Sequence, residues 1–211
     1  MKHPASREMY AYWTARRGVR RAPNRSEIDP GAIRSLLSDS FMINREPAEE
    51  TVFRLAGTRV CDMFGRELKG DRFLSLWDAR SHADLRMLLD LAVDHAQGFV
   101  AGVVADVDDG KPTRLELLLL PLYRIGTAEA RSIGTLAAFE RGRHLQLHAV
   151  SGLYLEGWRY VGADTEASLI PRDLEHTLDR DLERDLERDL ATEMTPDVRA
   201  RGWTILPGGR S

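Results

Sequence analysis

The sequence predicts an α+β domain, in which an antiparallel sheet of about five strands carries short helices and one longer helix on one face. Three observations lead to this prediction. Strand-like runs lie near both ends of the first two thirds of the chain, helical apolar spacing occupies the region between them, and two alternating apolar runs flank a turn-forming cluster. A chain of 211 residues with 43% hydrophobic residues has enough apolar material for one core of ordinary size.

The composition is typical of a protein from a reducing compartment. The single cysteine, Cys61, allows no internal disulfide bond, and the net charge of −3 gives no overall attraction to nucleic acid or anionic lipid. The N-terminal residues, MKHPASREMYAYW, lack the apolar segment of a signal peptide, and no apolar run approaches the roughly 18 residues that cross a bilayer. These features predict a cytoplasmic protein that makes no membrane contact.

An N-terminal helix and an arginine-rich linker are predicted over residues 1–28. The helix is expected to start at Ser6, a good N-cap residue, and to end at Arg17. Its apolar side consists of residues at helical spacing: Met9, Tyr12 and Trp13. The linker region contains five arginines: Arg16, Arg17, Arg20, Arg21 and Arg25.

The main domain is predicted over residues 29–150, and its first half alternates short strands with short helical turns. A helical segment with Pro30 in its first turn precedes the strand SFMIN, and a second strand covers Thr51–Ala56. Gly57 and Gly65 then bound one short helix. The apolar residues expected to face inward in these turns are Ile33, Leu36, Leu37, Val60, Met63, Phe64, Phe73, Leu76 and Trp77.

The second half of this domain holds the longest helix and a set of strands. The helix is predicted over Ser81–Ala96, with Ser81 and Asp84 as a capping box. The runs FVAGVVADV and TRLELLLLPLY flank DDGKP and predict a hairpin, RSIGTLAAFE predicts a third strand, and HLQLHAV is a candidate for one more. Leu118 and Leu120 break the alternation in the second run, which indicates a central strand covered on both faces.

Residues 151–211 are predicted as a C-terminal extension. The run PRDLEHTLDRDLERDLERDL repeats Asp-Leu-Glu-Arg, which predicts a solvated helix with one apolar stripe. The stripe consists of leucines at every fourth position: Leu174, Leu178, Leu182, Leu186 and Leu190. Two interpretations stay open, a helical adaptor that docks on a partner and a repeat expansion without a specific function.

The order of these elements resembles the PAS fold, and the stretch FRLAGTRVCDMFGRELKG carries much of the resemblance. Its pairs Phe64-Gly65 and Lys69-Gly70 match the glycine-broken short helices that follow the second strand of PAS domains. The runs YWTARRGVRRAPNRSEIDPGAI and FRLAGTRVCDMFGRELKGDRFLSLW are similar to a family of single-domain PAS proteins of alphaproteobacteria. The resemblance implies a bacterial sensory or regulatory protein. It also implies a homodimer that pairs through the N-terminal helix, with Met9, Tyr12 and Trp13 as candidate contacts, although these residues are equally suited to cover their own sheet.

A small-molecule pocket is expected between the helices and the sheet, because glycine-broken turns pack loosely over a sheet. The candidate pocket residues are Arg54, Phe64, Phe73, Trp77, Leu88, Leu91 and His95. The alternative is that the apolar members simply fill the core and that Arg54 and His95 are exposed. No motif for haem or flavin is present, and the isolated histidines and Cys61 make no metal or cofactor site.

These patterns favour a non-catalytic protein that couples a small-molecule ligand, or the state of a signalling partner, to protein contacts by shifting between two packings. No motif of a hydrolase, kinase, nucleotide-binding loop or metalloprotease is present. The alternatives are a nucleic-acid-binding regulator that uses the segment from Arg16 to Arg25, which is the less favoured interpretation, and an adaptor that uses the leucine repeat.

Overall fold

The computed structural model describes residues 1–45, 50–107, 112–123, 130–139, 150–162 and 170–171. The three α-helices are α1 (Pro4–Arg17), α2 (Thr58–Phe64) and α3 (His82–Asp94), and short 3-10 helices cover Arg25–Glu27, Leu37–Asp39, Phe73–Leu76 and Ala79–Ser81. The strands are β1 (Ser40–Arg45), β2 (Thr51–Ala56), β3 (Gly98–Val107), β4 (Thr113–Leu122), β5 (Ala130–Ala138), β6 (Val150–Val161) and β7 (Ile170–Pro171).

All these strands belong to one sheet in the order β2-β1-β5-β4-β3-β6-β7, and every neighbouring pair is antiparallel. The helices and the sheet together confirm the predicted α+β class and PAS-like architecture. The sheet has more than the five strands expected, because β6 and β7 continue it beyond β3.

Apolar side chains form a core on each face of the sheet. The inner core lies between the sheet and the helices α2 and α3, and the outer core lies between the sheet and α1. Strand β4 contributes to both, because Leu115, Leu117 and Leu119 face the inner core whereas Leu118 and Leu120 face the outer core. The apolar and polar residues of this strand do not alternate because both of its faces are covered, as predicted.

The ends of two helices differ from the prediction. Helix α1 begins at Pro4 rather than Ser6, because the ring Nδ1 of His3 accepts the Ala5 N–H at 3.1 Å and proline suits a first helical position, which needs no N–H. Helix α3 ends at Asp94, and Ser81 does not cap it, because the Ser81 hydroxyl instead accepts the backbone N–H of Leu155 at 3.0 Å.

The segment after Asp29 forms turns rather than the predicted helix. The Asp29 carboxylate accepts the Gly31 N–H at 2.9 Å, a local bond that competes with helix formation. Ile33 and Leu36 still reach the outer core, whereas Leu37 remains 40% exposed.

Gly57 allows two backbone segments to meet at the end of β2. Its N–H donates to the Ser40 carbonyl at 2.7 Å. A Cβ at this position would lie 2.0 Å from the carbonyl oxygen of Leu37 and 2.5 Å from that of Ser38. The glycine predicted to make a sharp turn is therefore required by close backbone approach rather than by unusual dihedral angles.

Strand β6 extends the sheet past residue 150, the predicted end of the domain. It pairs with β3 from Val150 to Val161. Of the predicted strand HLQLHAV only Val150 is among the described residues, and the Asp-Leu-Glu-Arg repeat lies wholly outside them. No helix in the described ranges combines the length and hydrophobicity needed to cross a bilayer.

Candidate functional site

Four of the predicted pocket residues meet in the inner core, where aromatic rings pack closely. Phe73 lies with its ring centroid 5.5 Å from that of Phe53, 5.9 Å from that of Phe41 and 5.7 Å from that of Trp77. Phe64 and Leu88 are buried in the same core. The position predicted for a pocket holds a packed aromatic cluster, and a small-molecule pocket among these residues stays a prediction.

The other three predicted pocket residues lie outside this cluster. Arg54 is exposed at a β-bulge. Met42 and Ile43 of β1 pair with Leu55 and Phe53, and Arg54 between them has no partner in the strand pairing. Leu91 is only half-buried, since it lies about 100° around the α3 axis from the core residue Ala92. His95 is exposed just after the helix ends.

Two tryptophans leave polar groups unsatisfied in the inner core. The indole Nε1 atoms of Trp77 and Trp158 are buried and have no hydrogen-bond partner among the described residues. A buried donor without a partner costs about 1–3 kcal/mol, so each N–H is available to an acceptor that enters this core. Sequence reasoning missed Trp158 because the strand that carries it was assigned to the C-terminal extension.

An apolar cleft of about 330 Å³ opens at the β2 side of the sheet. Its apolar lining comes from the turn segment before β1 and from the outer face of β1, β2 and β5: Ile28, Pro30, Ile33, Leu37, Met42, Leu55 and Ile133. Leu37 and Leu55, which both line this cleft, are 40% and 47% exposed, and two such exposed large apolar side chains in one cleft indicate an interaction surface. The predicted sites did not include this cleft, because its walls are distant in sequence.

Helix α1 covers the outer face of the chain's own sheet. Met9 and Trp13, two predicted dimer contacts, are fully buried in the outer core, and the Trp13 indole N–H donates to the Pro121 carbonyl at 2.8 Å. The Tyr12 hydroxyl accepts the Asp29 N–H at 2.7 Å. Within the single chain Met9 and Trp13 cover their own sheet, and their part in pairing two copies stays a prediction.

A buried carboxylate anchors the start of α1. Glu116 projects from β4, and its two oxygens accept the backbone N–H groups of Lys2 and His3 at 2.7 and 2.9 Å. The positive end of the helix dipole faces this negative charge, which stabilises the contact further. Glu116 is a residue that sequence reasoning missed, since a glutamate within LELLLL carries no local signal for a distant helix end.

The arginine segment is largely used within the fold. Arg20 forms a two-armed ion pair with Glu27 at 2.8 and 2.9 Å, and this pair holds the pKa of Glu27 below its ordinary value, helped by the Asn24 N–H. The Arg16 and Arg17 guanidinium groups lie over the rings of Tyr12 and Trp13 respectively. These contacts leave less of the segment for phosphate binding than the sequence suggests.

Cys61 is a half-buried thiol on α2. Burial raises its pKa above the ordinary value for cysteine, and the carboxylate of Glu67 acts in the same direction. The thiol is therefore protonated near neutral pH and weakly nucleophilic. Among the described ranges, no three histidine, cysteine or acidic side chains cluster to hold a metal ion, and His144 and His148 lie outside those ranges.

Comparison with known proteins gives one family. The family model described as PAS domain matches residues 1–137, more than half of the chain. A comparison with curated proteins gives no match. The matched range contains α1 to α3, the strands β1 to β4 and nearly all of β5. The chain therefore belongs to the PAS domain family, whose members are in general sensory or regulatory and not catalytic.

Proposed function

We propose that this PAS protein is a cytoplasmic regulator that passes a signal to a partner protein by direct contact at the apolar cleft. The observation that supports this proposal is the pair of half-exposed leucines, Leu37 and Leu55, which line one cleft of about 330 Å³. Burying these two side chains against a partner releases water from apolar surface and favours association.

The charges near the cleft favour an acidic partner segment. Arg25 lines the cleft, and Arg34 and Arg54 neighbour the lining residues Ile33 and Leu55 in sequence, against one exposed acid, Asp29, between the lining residues Ile28 and Pro30. Arg34 and Arg54 are exposed and form no ion pair within the described ranges. A partner with apolar anchors and acidic flanking residues complements this surface, and the charges would also speed encounter.

Site-specific photo-crosslinking in the native host tests this proposal. A benzophenone amino acid at Leu55 should give a discrete heteromeric adduct, and a second change, Leu37→Asp, should remove it. The matched control is the same group at Met87, which is also 40% exposed but lies on α3. Adducts of equal yield from both positions, or none from Leu55, would contradict the proposal. An adduct with twice the mass of the chain would identify a second copy, not a separate protein, as the occupant.

A second candidate function, ligand sensing in the inner core, is favoured by the unsatisfied indole groups of Trp77 and Trp158. A small ligand with acceptor oxygens would satisfy both donors after the aromatic cluster opens. Native mass spectrometry of protein purified from its host should then show a bound molecule that Trp158→Phe removes. Absence of bound mass in the wild-type protein counts against this candidate.

A further inference from the structure

A second cleft, the arginine cleft, lies where β1 ends and β2 begins beside α3. Its volume is about 480 Å³. Basic, polar and apolar side chains line it, among them Arg45, Arg72, Arg86, Thr51, Leu74 and Leu89. The cleft is separate from the apolar cleft, since the two share no lining residue.

Two of its arginines are paired and one is not. Arg45 forms an ion pair with Asp90, and Arg72 pairs with Glu50 at 2.9 Å. Arg86 lies four residues before Asp90 on α3, a spacing at which an arginine and an aspartate can pair. Asp90, however, forms its ion pair with Arg45. Within the described ranges Arg86 forms no ion pair, and the lining carries three arginines against two carboxylates, Glu50 and Asp90.

The lining also separates into a charged part and an apolar part. The guanidinium group of Arg86 offers five N–H donors in a planar fork, the geometry that binds a carboxylate or phosphate with two parallel hydrogen bonds. Arg45 donates to Asp90 through one terminal nitrogen, so further donors remain on its guanidinium group. Leu74 and Leu89 supply apolar contact in the same cleft.

We propose that the arginine cleft binds a small organic anion, whose carboxylate or phosphate group pairs with Arg86 and whose short apolar body lies against Leu74 and Leu89. This inference goes beyond the partner contact proposed above. Its test uses the purified full-length chain with no partner present, so its outcome is independent of that proposal.

Calorimetric titration with butyl phosphate, pentanoate and inorganic phosphate tests the proposal. Butyl phosphate or pentanoate should bind saturably and more tightly than inorganic phosphate, and the better of the two identifies the anionic group. Arg86→Gln should weaken that binding about tenfold or more, because charge-assisted hydrogen bonds are lost. Leu74→Ala should weaken the organic anion several-fold and leave inorganic phosphate unchanged.

Arg34→Gln is the matched control, because Arg34 is another exposed, unpaired arginine and lies on the turn segment beside the apolar cleft. It should leave the affinities unchanged. Equal weakening by Arg34→Gln and Arg86→Gln would show general charge attraction and overturn the proposal. Failure of both organic anions to saturate the wild-type chain would overturn it as well. Backbone amide spectra of each variant establish that the fold is retained.

Discussion

On the β6 side of the sheet, one strand places three large apolar side chains in the inner core, whereas on the β2 side two leucines remain about half exposed. Leu153, Leu155 and Trp158 of β6 are buried, while Leu37 and Leu55 border the apolar cleft. Strand β6 also bonds to the turn before α3, where the Asp78 N–H donates to the Leu153 carbonyl at 2.9 Å.

The two sides of the sheet are therefore closed by different kinds of contact. The β6 side is closed by side chains and by pairing along ten positions of β3. The β2 side is instead closed by main chain, because Gly57 lets the end of β2 contact the carbonyl groups of Leu37 and Ser38. Close backbone contact stabilises an edge without covering its apolar side chains, so Leu37 and Leu55 stay exposed on this side.

The largest expected effect comes from truncating the β6 side. Trp158→Ala should lower the free energy of unfolding by about 3–5 kcal/mol, because a large buried side chain is replaced by a cavity. Trp158→Phe keeps a ring and removes an unsatisfied N–H, so it should cost much less. Chemical denaturation measures both. The matched variant on the other side, Leu55→Ala, should cost far less, and an equal loss from Leu55→Ala would contradict the comparison.

A pair of glycine substitutions sharpens the same comparison. Gly57→Ala should cost about 1–3 kcal/mol or more, since its Cβ would overlap two carbonyl oxygens of the backbone. Gly157→Ala on β6 places its Cβ in open space and should change stability by only about 0.5 kcal/mol. Thermal or urea unfolding distinguishes them, and similar losses at both glycines would show that close main-chain contact does not close the β2 side.

Changing Glu116, the buried carboxylate that anchors the start of α1, should lower the free energy of unfolding by a comparable or smaller amount. Glu116→Gln replaces a carboxylate that accepts two N–H groups, and the amide nitrogen then faces one of these donors. We expect a loss of about 1–3 kcal/mol and faster hydrogen exchange in the first turn of α1. The control is Glu156→Gln, an exposed residue near the same place. Unchanged exchange in Glu116→Gln would show that the outer core alone holds the helix.

The smallest effect concerns the pH dependence of the arginine segment. The pKa of Glu27 is depressed in the folded state, mainly by Arg20, so its ion pair stabilises the fold above the ordinary glutamate pKa of about 4.3. That contribution is lost as the pH falls through the depressed value. Glu27→Gln should therefore reduce slightly the decrease of Tm in acid. An identical acid profile in the variant would show that this exposed pair contributes nothing measurable.

Sequence patterns predicted much of the fold but only part of the candidate site. The bounds of β2 and the two-sided cover of β4 follow from spacing within single segments, and the structure has them as expected. The apolar cleft and the arginine cleft escaped prediction. Each cleft is lined by residues from separate helices, strands and turns, and the pattern within a single segment does not predict which segments come together.

The sequence by itself determined the helices α1 to α3, the strands β1 to β5 and the glycines that bound α2, although not the turns after Asp29 or the strand β6. These properties depend on neighbours a few residues apart, so local periodicity is sufficient to specify them. Only the tertiary structure decided that α1 covers its own sheet, that β6 joins β3, and that Phe53, Phe73 and Trp77 pack together in the inner core. Those outcomes depend on packing between distant segments, where several arrangements of the same apolar stripes compete and volume and hydrogen bonding select one.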